Sequence, residues 1–174
     1  VRPRLAGAEQ FTTALSGIRG EIDVAIGDLD ELSVLAGVPQ GEAVQTLLAS
    51  GCRLVITKRG ADGAEATDGV QTVRVPTLAT RVVDTVGAGD GFMVGVTSAL
   101  LEGRGIAEAT RRAAWIGARA VQVRGDTEGL PTRAQLEQAR AVVSRTEEDL
   151  RNATIISPID GVVLSRDREV GDAV

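Results

Sequence analysis

The chain has 174 residues with a 43% apolar share, enough for one folded domain with a sizeable core. Aromatic residues make up 2% and the formal net charge is −5, which argues against nucleic-acid binding through stacked aromatics or a basic face. With no His and Cys52 as the sole cysteine, Ser/His and Cys/His chemistry, His- or Cys-based metal sites and an intrachain disulfide are excluded.

Acid–base work therefore falls on Asp, Glu, Lys or the one thiol. Cys52 itself reads as a small buried hydrophobe just before a strand. No apolar run is long enough to span a bilayer, and the first residues lack a signal-peptide pattern, so the expected location is cytoplasmic. The opening Val1-Arg2-Pro3-Arg4-Leu5 has no Met and reads as the start of a fragment or a processed form.

In chain order, residues 8–18 have helical apolar spacing, and 23–26 form a short strand ended by Gly27. Asp28 with Glu31 three residues on is an acidic capping box, opening a helix that runs to Ala36 and stops at Gly37. Residues 42–49 are a further helix, and 53–57 a buried strand by their β-branched run. Asp68-Gly69 between residues 64–67 and 71–75 is a hairpin signal. Residues 80–83 lead into a glycine-rich loop, followed by two apolar helices over 89–101 and 106–122. Thr132 is placed to cap a last helix from Arg133, which the charged stretch 140–153 prolongs.

The loop is Asp84-Thr85-Val86-Gly87-Ala88-Gly89-Asp90. Glycines let backbone approach a phosphate, and N–H groups at a helix start point at the anion. A carboxylate beside them can take a proton from an attacking hydroxyl. Together these make a phosphoryl-transfer site. Taken alone, the same residues also describe a strand-to-helix turn in which Asp90 caps the helix.

Other motifs accompany the loop: Asp28-Leu29-Asp30-Glu31 after one strand, Thr57-Lys58-Arg59-Gly60-Ala61-Asp62-Gly63 after another, and Arg124-Gly125-Asp126-Thr127 late in the order. In this order and spacing the set resembles the C-terminal half of ribokinase-like (PfkB) carbohydrate kinases, nearest the 2-keto-3-deoxygluconate kinase branch. The resemblance covers residues 1 to about 139. It implies an α/β fold, the C-terminal half of a doubly wound sheet, and ATP-dependent phosphorylation of a sugar or sugar acid with Mg²⁺. Asp90 is then the general base, and Gly87, Ala88 and Gly89 the anion hole. Thr57, Lys58, Gly60 and Gly63 match the nucleotide-binding strand and loop. Glu31 matches a residue that organises Mg²⁺ through water, with Asp28 where the family often has Asn. Asp84 and Thr85 match positions that hold a monovalent cation in some members. Arg2 and Arg4 fall where a basic residue reaches a sugar acid. The family's N-terminal half, with most sugar contacts, has no counterpart here. An open sheet edge and an exposed apolar face, and with them self-association or a homo-oligomer, are the expected consequence.

From Thr154 onward the composition changes. Ser157-Pro158-Ile159-Asp160-Gly161-Val162-Val163 and Val170-Gly171 read as a short β-hairpin tail. They resemble the lipoyl-like half-motif of periplasmic adaptor (membrane-fusion) proteins, which implies contact with adaptor or transporter proteins. No Lys sits at that turn, so covalent lipoyl attachment is not implied. The expected organisation is a kinase segment over 1–139 and an adaptor-type segment over 140–174. A carbohydrate kinase is the leading function, an adaptor the alternative, and the chain reads as natural, truncated or composite.

Overall fold

The computed structural model describes residues 8–79 and 81–153. The chain divides into two compact units between Pro131 and Thr132. The first contains α1 (Ala8–Ser16), β1 (Val24–Gly27), α2 (Leu29–Ala36), α3 (Gln40–Ala49), β2 (Leu54–Lys58), β3 (Ala64–Thr67), β4 (Thr72–Val75), α4 (Ala88–Leu101) and α5 (Ile106–Ala120). The second contains α6 (Arg133–Asn152).

Local chemistry sets most of these boundaries. The Asp28 carboxylate accepts from the Glu31 N–H at 2.9 Å, and the Glu31 carboxylate accepts from the Asp28 N–H at 2.9 Å, so both arms of the expected capping box form. Gly37 ends α2 at φ 71°, a left-handed conformation suited to glycine. Gly27 does not end its strand as expected. It pairs with Thr57, and a Cβ there would sit 2.9 Å from the Glu31 Cβ, so the missing side chain lets α2 fold back over β1. Helix α3 begins two residues earlier than expected, behind the extended Pro39.

The sheet has four strands in the order β1-β2-β3-β4. β1 and β2 are parallel, joined by the α2–α3 crossover; β2, β3 and β4 are antiparallel neighbours. The β3–β4 turn is held by the Asp68 carboxylate, which accepts from Val70 at 2.9 Å and Gln71 at 2.8 Å, with Gly69 at φ 86°.

Side-chain alternation makes both sheet faces apolar, and each is covered by helices. On one face Leu54, Ile56, Ala64, Ala66 and Val75 pack with Phe92 and Val96 of α4 and Ala113 and Ala114 of α5. On the other, Ala25 and Val55 pack with Leu32 and Ala36 of α2 and Ala43 and Leu47 of α3. Helices α4 and α5 approach closely because a Cβ on Gly95 would lie 2.5 Å from the Ala113 Cα. Arg112, 5% exposed, bridges them, donating to Glu102 at 2.7 Å and to Ser98 at 3.2 Å.

In the second unit, Thr132 caps α6 through a full capping box with Gln135, and the helix continues unbroken past residue 140. None of its residues is buried. Among the described residues no helix is long and apolar enough to cross a membrane. The hairpin expected over residues 154–174 lies outside the described residues.

Candidate functional site

The glycine loop is built by three restraints. First, the backbone N–H groups of Val83 and Asp84 donate to the Val121 carbonyl at 2.7 and 3.2 Å, fixing the entry to the loop on the end of α5. Second, the Asp84 carboxylate bridges two backbone segments. Its Oδ1 accepts from the Val86 N–H at 3.1 Å and its Oδ2 from the Gly125 N–H at 3.3 Å. The Val86 N–H, and next the Gly125 N–H, hold the Asp84 carboxyl below the usual aspartate range. Third, Gly87 sits at φ 75° as the N-cap of α4. A Cβ there would run into the Asp126 carbonyl oxygen and lie 2.5 Å from the Asp126 Oδ1. Both conformation and space therefore require glycine.

The consequence is a bare helix start. A glycine N-cap has no side chain to bond the first turn, and α4 has no side-chain cap. The Ala88 N–H donates to the Thr85 carbonyl at 3.4 Å, and the Gly91 N–H to Gly87 at 2.8 Å. The N–H groups of Gly89 and Asp90 have no acceptor among the described backbone. They stand at the positive end of a 14-residue helix. Asp90 is exposed in this first turn, and its carboxylate makes no hydrogen bond or ion pair with the described residues. It is therefore not a cap, which removes the alternative the sequence left open.

Lys58, the last residue of β2, brings a cation to the same place. Its Nζ is 3.7 Å from the position a Cβ would take on Gly89. It also pairs with the Glu31 Oε2 at 3.1 Å. Burial raises the Glu31 carboxyl, but the Asp28 N–H and the Lys58 ammonium more than offset that and hold it below the ordinary glutamate value. Gly27 opposite Thr57 in the parallel register sets α2's first turn beside the end of β2, and so sets this pair. Glu31, Lys58, Gly87, Ala88, Gly89 and Asp90 thus gather at the carboxyl ends of β1 and β2, where open α/β sheets place their ligands.

The remaining expected residues fall elsewhere or play other parts. Thr57 is buried in β2 at 4% exposure. Gly60 begins a 3₁₀ turn with open space around its α-carbon, whereas a Cβ on Gly63 would lie 2.6 Å from the Pro76 carbonyl carbon. Gly63 is thus required by the hairpin's own backbone. Thr85 is exposed and offers its carbonyl to Ala88. Arg2 and Arg4 lie outside the described residues. Among the described residues no cluster of three or more His, Cys, Asp or Glu is placed to hold a metal.

Gly125 and Asp126 were given no role by the sequence, yet they close the loop from behind. The Arg124-Gly125-Asp126 stretch was the available signal, but nothing local says that it folds against Gly87.

Residues 2–133 match the model of the pfkB family carbohydrate kinases. The chain is 40% identical over 145 residues to the 2-dehydro-3-deoxygluconokinase of Bacillus subtilis (strain 168), covering 78% of this chain and 43% of that protein. Among solved structures it resembles the PfkB protein from Polaromonas sp. JS666, with a TM-score of 0.63 and 40% identity over 80% of this chain and 44% of that one. It also resembles a fructokinase double mutant from Vibrio cholerae O395 bound to fructose, ADP and potassium. There the TM-score is 0.64 and the identity 27%, over 73% of this chain and 43% of that one. The chain thus spans less than half the length of these relatives. The family match stops at residue 133 and gives no support to the adaptor resemblance, whose residues lie largely beyond it. The bare glycine-capped start of α4 with its free carboxylate, and the match over residues 2–133, agree: the chain belongs to the pfkB family of carbohydrate kinases.

Proposed function

We propose that this chain carries the phosphoryl-transfer machinery of an ATP-dependent kinase acting on a hydroxyl of a sugar or sugar acid. The observation that carries the reading is the first turn of α4. Gly87 is forced, two N–H donors are unoccupied, and an unpaired Asp90 carboxylate stands beside them.

In this reading Asp90 accepts the proton of the sugar hydroxyl, whose oxygen bonds to the γ-phosphorus as the bond to the ADP oxygen breaks. The anion hole proposed at Gly87, Ala88 and Gly89 is then a cradle of backbone in which the free N–H groups of Gly89 and Asp90 face the phosphoryl oxygens, while the Ala88 N–H stays on the Thr85 carbonyl and helps to hold the loop in place. The Lys58 ammonium adds a full positive charge next to Gly89. Thr57, Gly60 and Gly63 shape the neighbouring nucleotide strand and turn.

Mg²⁺ supplies charge neutralisation on the phosphates when bound. It commonly takes only one or two carboxylates, so the lack of a larger acidic cluster is compatible with it. Glu31 is the carboxylate proposed to organise it through water, while also holding Lys58. For a monovalent cation, the Asp84 oxygens each accept one N–H and retain lone pairs, and Thr85 adds oxygen. The potassium bound in the Vibrio fructokinase structure supports asking for one here.

The Bacillus relative supports a 2-keto sugar acid as substrate, for which Arg2 and Arg4 are the proposed carboxylate partners. Such a reaction draws on cytoplasmic ATP. The test is product formation from MgATP and 2-dehydro-3-deoxygluconate. The enzyme would be this chain joined to the segment of the Bacillus relative that it does not span. Phosphorylated sugar acid is expected; absence of any sugar-dependent ADP release from a folded, nucleotide-binding protein would overturn the reading.

A further inference from the structure

Helix α6 has 20 residues, a length of about 30 Å, and none of them is buried. Isolated helices of this size are marginal in water, and most helices in proteins are stabilised by packing one apolar face. α6 carries such a face. Leu136, Val143 and Leu150 recur every seven residues, with Ala139 and Thr146 between them. That is the spacing of a coiled-coil seam, the first set at its a positions and the second at its d positions. Val143 is 57% and Leu150 70% exposed. Thr146 suits a seam because its hydroxyl donates to the Val142 carbonyl at 3.0 Å, so its methyl group can be covered without leaving a polar group unmet. The family match ends at residue 133, so the seam lies beyond the part of the chain that the match accounts for.

What covers this seam must match it in size and in charge. A second copy of α6 does both, in one direction only. In a parallel pair Leu150 would meet Leu150 and Ala139 would meet Ala139, which gives crowded and hollow layers. Arg140 would then lie beside Gln135 and Glu147 beside Val142, with no opposite charge for either. In an antiparallel pair with Val143 opposite the second copy's Thr146, Ala139 falls opposite the second copy's Leu150. Each of these layers sets a larger side chain against a smaller one, so the two rows interdigitate. The same register brings Arg140 alongside the second copy's Glu147 and, by symmetry, Glu147 alongside the second copy's Arg140. Along one helix these two residues are about 10 Å apart, too far to pair with each other.

We propose that α6 joins α6 of a second copy of this chain as a two-stranded antiparallel coiled coil, with Ala139, Val143, Thr146 and Leu150 as its central layers and Arg140–Glu147 pairs on its flank. The proposal is independent of the phosphoryl-transfer reading, so it is tested by association rather than turnover.

The full chain is followed by sedimentation over a range of concentrations, and a dimer is expected. The double variant V143E/L150E puts four carboxylates into the seam and should weaken the dimer about tenfold or more. A141E, an exposed position on the opposite side of the helix, should leave it unchanged. R140E sets like charges together at two symmetric places and should weaken the dimer about threefold to tenfold. The reversal R140E/E147R makes both pairs again and should restore the parent affinity to within about twofold. That recovery keeps the proposal testable if V143E/L150E unwinds α6, since a loss of helix would not be repaired by exchanging two charges. A chain that stays monomeric up to about 1 mM, association indifferent to V143E/L150E, or a dimer that R140E weakens and R140E/E147R fails to restore would each overturn the proposal.

Discussion

Replacing Gly87 with Ala tests whether the loop is held as described. The residue sits at φ 75°, where an L side chain costs about 1–2 kcal/mol. Its Cβ would also strike the Asp126 carbonyl oxygen and lie 2.5 Å from Oδ1. Backbone cannot rotate away as a side chain does, so relief requires a shift of the Gly125–Asp126 segment, an overpacking cost of about 1–3 kcal/mol. The sum is about 3 kcal/mol, roughly 10 °C in melting temperature for a unit of this size. Gly60→Ala is the control: its φ of 55° is also left-handed, but nothing lies within 4 Å of the added carbon. It should cost only the conformational part, about 1 kcal/mol. Urea unfolding of both variants measures the difference. Adding Asp126→Ala should not rescue Gly87→Ala, because the carbonyl contact remains. Equal stability of Gly87→Ala and Gly60→Ala within about 0.5 kcal/mol would refute the steric argument.

Three further outcomes follow from the same geometry. Arg112→Ala should cost about 2–4 kcal/mol in urea unfolding, because it strips Glu102, Glu108 and Ser98 of a buried partner; a cost below about 1 kcal/mol would contradict a structural role. Glu31, Asp68 and Asp84 all have lowered values in the fold, so each contributes stability that is present above its unfolded value, near pH 4, and is lost as pH falls through the folded one. Stability measured from pH 5 to pH 3 should therefore fall less steeply in Asp84→Asn than in the parent, and parallel curves would contradict the Asp84 bridge. Burial raises the Cys52 thiol above its ordinary value, so a thiol reagent at pH 7 should label the chain only on unfolding; rapid labelling of the native protein would place Cys52 wrongly.

What the sequence made legible was local. The Asp28–Glu31 box, the Thr132 cap, the Gly37 stop and the Asp68-Gly69 turn act over three or four residues, and each appears where the residues put it; the Gln135 arm that completes the Thr132 cap came from the structure. The glycine loop was legible for the same reason, since Gly87, Gly89 and Asp90 share one helical turn.

What depends on register was not. Lys58 meets Glu31 only because Gly27 pairs with Thr57, and no local pattern in either segment announces that pairing. Asp126 shapes Gly87 from 39 positions away in the chain, through backbone rather than a recognisable side-chain motif. Gly63 shows the same dependence on distant backbone. The sequence placed it in a nucleotide loop without showing that its missing side chain also makes room for the backbone of Val75 and Pro76.

The central claim is that Asp90 is the base beside a preorganised anion hole. Turnover of Asp90→Asn, in this chain joined to the unmatched segment of its Bacillus relative, tests it most directly when measured alongside nucleotide affinity. The account predicts turnover lower by about 10²–10⁴-fold with nucleotide affinity within about threefold of the parent. Turnover within about threefold of the parent would contradict it.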